Sequence, residues 1–132
     1  LIKVSLIGAG YLGRFHAINL KQLSGAVLKG VYDIDRQRAE KVAKEAETKV
    51  FDSIDQAIEN SEAIVIATPT TTHYQIAMRT IQAGKDVFIE KPITSTVVEA
   101  ETLIVEARKK GLIIQVGHLE RFTPALEEAV QL

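Results

Sequence analysis

Ile2-Lys3-Val4-Ser5-Leu6-Ile7-Gly8-Ala9-Gly10-Tyr11-Leu12-Gly13 joins an apolar, β-branched run to a glycine turn that opens a segment of helical character. The spacing is Gly-x-Gly-x-x-Gly, and strand, turn and helix in that order form the setting in which this motif binds a dinucleotide. Each glycine has a separate reason. Gly8 permits the tight turn out of the strand, Gly10 lets a pyrophosphate approach the backbone, and Gly13 lets the helix pack closely on the sheet. The N–H groups of Tyr11 and Leu12, at the positive end of the helix dipole, then face the phosphates. Such glycine clusters also arise by chance, and methyltransferases carry similar turns, so a second marker is needed. Asp33 supplies it, ending the next apolar run twenty residues after Gly13, where a carboxylate accepts the hydroxyls of an adenosine ribose. The same carboxylate repels a 2′-phosphate, which favours NAD over NADP. Arg36 is close enough in sequence to reach a 2′-phosphate or to stack on adenine, and it reads equally well as a solvated first-turn arginine.

Outward from this turn, short apolar runs alternate with segments of helical period, the pattern of a parallel sheet covered on both faces. Six strands are expected, at Ile2–Ile7, Val27–Tyr32, Lys49–Phe51, Ala63–Ala67, Val87–Ile89 and Leu112–Val116. The fold class is therefore α/β, a doubly wound Rossmann sheet whose ligands collect at the carboxyl ends of the strands. Ala39, Val42, Ala43 and Ala46 share one helix face, as do Tyr74, Ala77, Met78 and Ile81. Ser53 with Gln56, and Thr96 with Glu99, are capping-box pairs that open two further helices, the second carrying Val97, Ala100, Ile104 and Ala107. Gly84 and Gly111 stop helices.

A chain of 132 residues, 46% of them hydrophobic, has the size and apolar content of one domain, and no repeat or linker divides it. A net charge of −1 with interspersed signs argues against nucleic acid as a partner. No apolar run is long enough for a membrane span, and the lack of cysteine excludes disulfides and thiolate chemistry, so a cytoplasmic setting is expected. The sequence opens on Leu1 without an initiator Met and reaches Leu132 inside a helical pattern. We expect residues 1–132 to be one nucleotide-binding domain of a longer protein.

Three further segments fall at strand ends: Ala67-Thr68-Pro69-Thr70-Thr71-Thr72-His73, Glu90-Lys91-Pro92, and Gln115-Val116-Gly117-His118-Leu119-Glu120-Arg121-Phe122-Thr123-Pro124. Together with the glycine turn and Val31-Tyr32-Asp33, they resemble the glucose-fructose oxidoreductase and inositol dehydrogenase family from Ile2 to Pro124. Glu90-Lys91-Pro92 is the most specific piece. The resemblance implies a two-domain, homo-oligomeric NAD(P)-dependent enzyme that moves a hydride between the nicotinamide and a hydroxyl-bearing carbon of a sugar, nucleotide sugar or cyclitol. Lys91 would take the role of the family lysine beside the nicotinamide and the reacting oxygen. An ammonium there can stabilise alkoxide character, whereas the plain alternative is a surface lysine.

By the same resemblance Thr68, Pro69 and His73 would line the cofactor channel, although a Thr before a helix is often a cap and His73 reads independently as a first-turn polar residue. Glu90 either orients Lys91 or simply ends its strand. Arg121 resembles the family arginine near the substrate, and could equally pair with Glu120, Glu127 or Glu128. His16 and His118 have no second ligand at metal spacing and read as structural; no metal is expected. The family histidine belongs to a second domain that these residues do not include. The stretch from Gly117 to Ala125 is most similar to the branch acting on nucleotide-linked N-acetyl sugars. Two rivals remain: a non-catalytic dinucleotide sensor of the same family, against which Lys91 argues, and a methyltransferase, in which Glu-Lys-Pro has no role.

Overall fold

Val4 and Leu6 point to one side of β1 (Ile2–Ile7) and Ser5 and Ile7 to the other, and all four are buried. A strand buried on both faces belongs in the middle of a covered sheet. The computed structural model, which describes residues 1–117, puts it there. β1 pairs with β2 (Ala26–Tyr32) on one side and β3 (Ala63–Ile66) on the other, followed outward by β4 (Asp86–Glu90) and β5 (Ile114–Gly117). Every pairing is parallel, in the order β2-β1-β3-β4-β5. The chain leaves β1 toward β2 and returns to the far side of β1 for β3, so the switch point lies between β1 and β3.

Among the described residues the sheet has five strands, not six. The run at Lys49–Phe51 makes a single parallel bridge, Val50 to Val31, held by Val31 N–H to Lys49 O at 2.9 Å and Phe51 N–H to Val31 O at 2.8 Å. Two local demands cut it short. Phe51 is 2% exposed and its ring lies over Gly30, where an added Cβ would come within 2.5 Å of it. Immediately afterwards Ser53 caps a helix, accepting from Gln56 N–H at 3.0 Å, so the backbone turns away before a second bridge can form.

Helices cover the two faces. α1 (Tyr11–Gln22) and α2 (Arg36–Glu45) pack with Val4, Leu6, Leu28 and Val31. On the opposite face α3 (Ile54–Glu59), α4 (His73–Gln82) and α5 (Val97–Lys109) close over Ile7, Ile64, Ile66, Val87 and Ile89. Full burial of each such aliphatic chain stabilises by about 1.5–3 kcal/mol before the entropy of ordering it is counted. α2 buries the expected Ala39, Val42 and Ala43. α4 is turned from expectation: His73, Ile76, Ala77, Thr80 and Ile81 are buried, while Tyr74 and Met78 are only partly so. α5 buries Leu103 and Ala107 and leaves Val97 and Ile104 exposed. No helix of the described residues is long and apolar enough to cross a membrane.

Gly84 and Gly111 follow α4 and α5 with positive φ. At the start of α5, Thr96 Oγ1 accepts from Glu99 N–H at 3.2 Å and lies 3.1 Å from Glu99 Oε1. Losing that cap in Thr96→Ala should cost about 1 kcal/mol of stability. Urea unfolding of the two proteins measures it, and equal midpoints would show that the cap contributes nothing.

Candidate dinucleotide site

A groove of about 570 Å³ opens at the carboxyl ends of β1, β2 and β3, over the switch point. The glycine turn contributes Gly8, Gly10, Tyr11 and Leu12, the end of β2 contributes Tyr32, Asp33 and Ile34, and the end of β3 contributes Thr68 and Pro69. Arg38, Ile54, Thr72 and Ile76 complete much of the rim.

Two of the three glycines are required by the fold itself. Gly8 has φ +105°, and a Cβ on it would lie 2.5 Å from Ala67 O; one on Gly13 would lie 1.9 Å from Gly8 O. These values reflect the turn folding back on β3 and the helix packing against the turn. Gly10 differs. It caps α1 with ordinary extended backbone, φ −78° and ψ −159°, and an added Cβ would meet no protein atom within 4 Å. A side chain would fit the protein here but would project into the groove. Gly10 makes no side-chain cap and α1 has no acidic residue in its first turn. Its leading N–H groups and positive dipole end are therefore left for an anion.

Asp33 is bound to that turn. Its Oδ2 accepts from Ala9 N–H at 2.7 Å and its Oδ1 from Asp35 N–H at 2.8 Å, and each oxygen keeps lone-pair capacity for a further donor. Gly8 N–H donates to Tyr32 O at 2.8 Å. The ends of β1 and β2 are thus fastened to each other beside the groove.

Arg36 turns elsewhere. It donates to Asp52 at 2.7 Å and to Glu40 at 3.2 Å and does not line the groove; the hydrogen bond to Asp52, with help from Glu40, raises its already high pKa further. Arg38 lines the groove instead, 3.5 Å from Asp35. Sequence reading missed Arg38 and the exposed Ile34, and the signal for both was proximity: a nonpolar residue and an arginine just beyond Asp33.

Thr68 and Pro69 line the groove, and the Thr72 hydroxyl donates to Pro69 O at 2.7 Å. His73 does not line it. Its ring is 1% exposed, with Nε2 2.8 Å from Thr68 O and Nδ1 2.9 Å from Pro92 O. Glu90 is 4% exposed and its Oε1 lies 2.5 Å from His16 Nε2, a partnership not anticipated for either residue. The carboxylate has room because its neighbour on β5 is Gly117, where a Cβ would lie 2.9 Å from Glu90 Oε2. Lys91 follows at the same sheet edge, exposed and beyond the lining of the groove. His118 and Arg121 lie outside the described residues.

Comparison with known proteins agrees with the fold. Residues 2–118 match the family described as "Oxidoreductase family, NAD-binding Rossmann fold". The chain is similar to a UDP-N-acetylglucosamine 3-dehydrogenase of Acidithiobacillus ferrooxidans, 39% identical over 126 residues, covering 96% of this chain and 40% of that protein. A solved structure of that enzyme superposes with a TM-score of 0.93 at 38% identity, over 98% of this chain and 41% of that one. A scyllo-inositol 2-dehydrogenase (NAD(+)) of Bacillus subtilis is 34% identical over 132 residues, 97% of this chain and 39% of that protein. The structure of GenD2 from gentamicin A biosynthesis, in complex with NAD, gives a TM-score of 0.93 at 28% identity, covering 98% of this chain and 38% of that one. The chain thus spans about 40% of the length of these curated relatives.

Proposed function

Because the chain belongs to the oxidoreductase family with an NAD-binding Rossmann fold, we propose that it holds NAD for a dehydrogenase acting on a ring hydroxyl of a sugar, nucleotide-linked sugar or cyclitol. The observation that carries the reading is Gly10, a position that no protein contact reserves for glycine and that opens on the groove. The donor set fits the cofactor. Gly10, Tyr11 and Leu12 offer backbone to a pyrophosphate, Asp33 offers a charged acceptor to the ribose hydroxyls, and Ile34, Ile54 and Ile76 give apolar wall to a base. NAD, when bound, accepts the hydride from the substrate carbon.

Within this reading Lys91 is the catalytic residue of the domain. Its ammonium hydrogen-bonds the reacting oxygen and stabilises the negative charge that builds there. The similarity to a nucleotide-sugar dehydrogenase makes a UDP-linked N-acetyl sugar the first substrate to test. Arg121 would serve the substrate side. A homo-oligomeric state and a cytoplasmic setting belong to the same reading.

Cofactor choice provides the first test. NADH should bind more tightly than NADPH in fluorescence titrations, because the Asp33 carboxylate meets the 2′-position. Asp33→Ala should weaken NADH by about 1–3 kcal/mol, the range for hydrogen bonds to a charged acceptor. Tighter binding of NADPH by the unaltered protein would pass control of selectivity to Arg38. Formation of NADH by the complete protein, assayed with UDP-N-acetylglucosamine, inositols and glucose 6-phosphate, tests the substrate class.

A further inference from the structure

Lys91 stands between two residues that are each gripped by a histidine, and the two histidines come from opposite faces of the sheet. Before it, Glu90 buries its carboxylate against His16 of α1, at 2.5 Å, and the His16 ring is itself set edge-on against Phe88 with centroids 5.2 Å apart. After it, Pro92 and Ile93 present their carbonyl oxygens to His73 Nδ1 at 2.9 and 3.2 Å, while His73 Nε2 reaches back to Thr68 O at 2.8 Å. His73 thus ties the loop after β4 to the loop after β3, and Thr68 lines the groove.

We infer that His16 and His73 are positioning residues that hold the Lys91 segment from both sides, a role resting on the function proposed above for Lys91. His73 has carbonyl oxygens at both ring nitrogens, from the loop after β3 on one side and the loop after β4 on the other. Glu90 sets its buried carboxylate against the His16 ring. Fixing a catalytic group from two directions matters because a displacement of about 1 Å can cost about 10²-fold in rate. The arrangement also joins the parts of the site: α1 begins at the glycine turn, α4 begins beside Thr68, and both end their reach at the residues flanking Lys91.

A double-mutant cycle in the complete enzyme tests the inference. His16→Leu and His73→Leu should each lower kcat about 10-fold or more, with NADH affinity changed less than about 2-fold. Introduced into Lys91→Met, neither should lower kcat further, since each acts through the lysine. His16→Gln, which keeps an N–H for Glu90, should recover most of the loss. His73→Gln takes the place of His73→Leu if the latter does not fold.

A readout independent of turnover comes from the cofactor-free protein with isotope-labelled histidine. The ring N–H signal lost in His73→Gln should exchange slowly with solvent, as a buried ring held by loop carbonyls requires. A ring N–H that exchanges as fast as that of an exposed histidine would leave the loops unheld and overturn the clamp. So would full additivity with Lys91→Met, or a fall in NADH affinity parallel to kcat, either of which marks a general structural role. An unchanged kcat in Lys91→Met alone would instead remove the catalytic role of the lysine itself, so the two failures are distinguishable.

Discussion

Lys91→Met in the complete enzyme is expected to lower kcat by about 10²–10³-fold while leaving NADH binding nearly unchanged. The expectation follows from where Lys91 sits. It lies outside the lining of the groove that would receive the pyrophosphate and ribose, at the neighbouring strand end, so its loss should leave most cofactor contacts intact. A donor whose hydrogen bond strengthens as charge builds on the substrate oxygen contributes to the transition state and little to ground-state binding. Added substrate should therefore not restore the rate. Steady-state kinetics set beside NADH titration of the same variant decide the matter. A raised KM with near-normal kcat would make Lys91 a binding residue only, and unchanged kinetics would return it to the surface.

Gly10→Val should abolish NADH binding without unfolding the domain. The backbone at Gly10 is extended and a Cβ there meets no protein atom within 4 Å, so a branched side chain is tolerated by the free protein. It would occupy the space through which the pyrophosphate approaches the α1 N-terminus. Valine at Gly8 or Gly13 is a different experiment, because contacts of 2.5 and 1.9 Å to backbone oxygens force the turn itself to move. Thermal melts of Gly10→Val should match those of the unaltered protein. Retained NADH affinity in a folded variant would remove the glycine turn from the site.

The features legible in the sequence were those set by local chemistry. The run Ile2–Ile7, the glycine turn and the helix after it are contiguous, and the caps at Ser53 and Thr96 are decided within four residues. Order along the chain also led to the groove, since Asp33, Thr68 and Pro69 each follow a strand whose end faces the same edge. What stayed hidden depends on partners far away. The bridge at Val50 stops short because Phe51 must reach Gly30. The buried side of α4 is set by His73 and Thr80, polar residues whose burial depends on carbonyl acceptors that no periodicity reveals. Arg36 and Arg38 are interchangeable in a sequence pattern, and the position of Asp52 separates them. His16 and Glu90 are 74 positions apart, beyond any local signal.

The double attachment of Asp33 bears on any attempt to re-engineer cofactor preference. One carboxylate oxygen holds Ala9 N–H in the glycine turn and the other holds Asp35 N–H ahead of α2. Exchanging Asp33 for a small neutral residue, the obvious way to admit a 2′-phosphate, would also release both N–H groups. The gain at the ribose would then be offset by a looser phosphate cradle, and affinity for both cofactors would fall together. Conversion of this domain to NADP therefore needs a replacement that still accepts from Ala9, with Arg38 freed from Asp35 to meet the new phosphate.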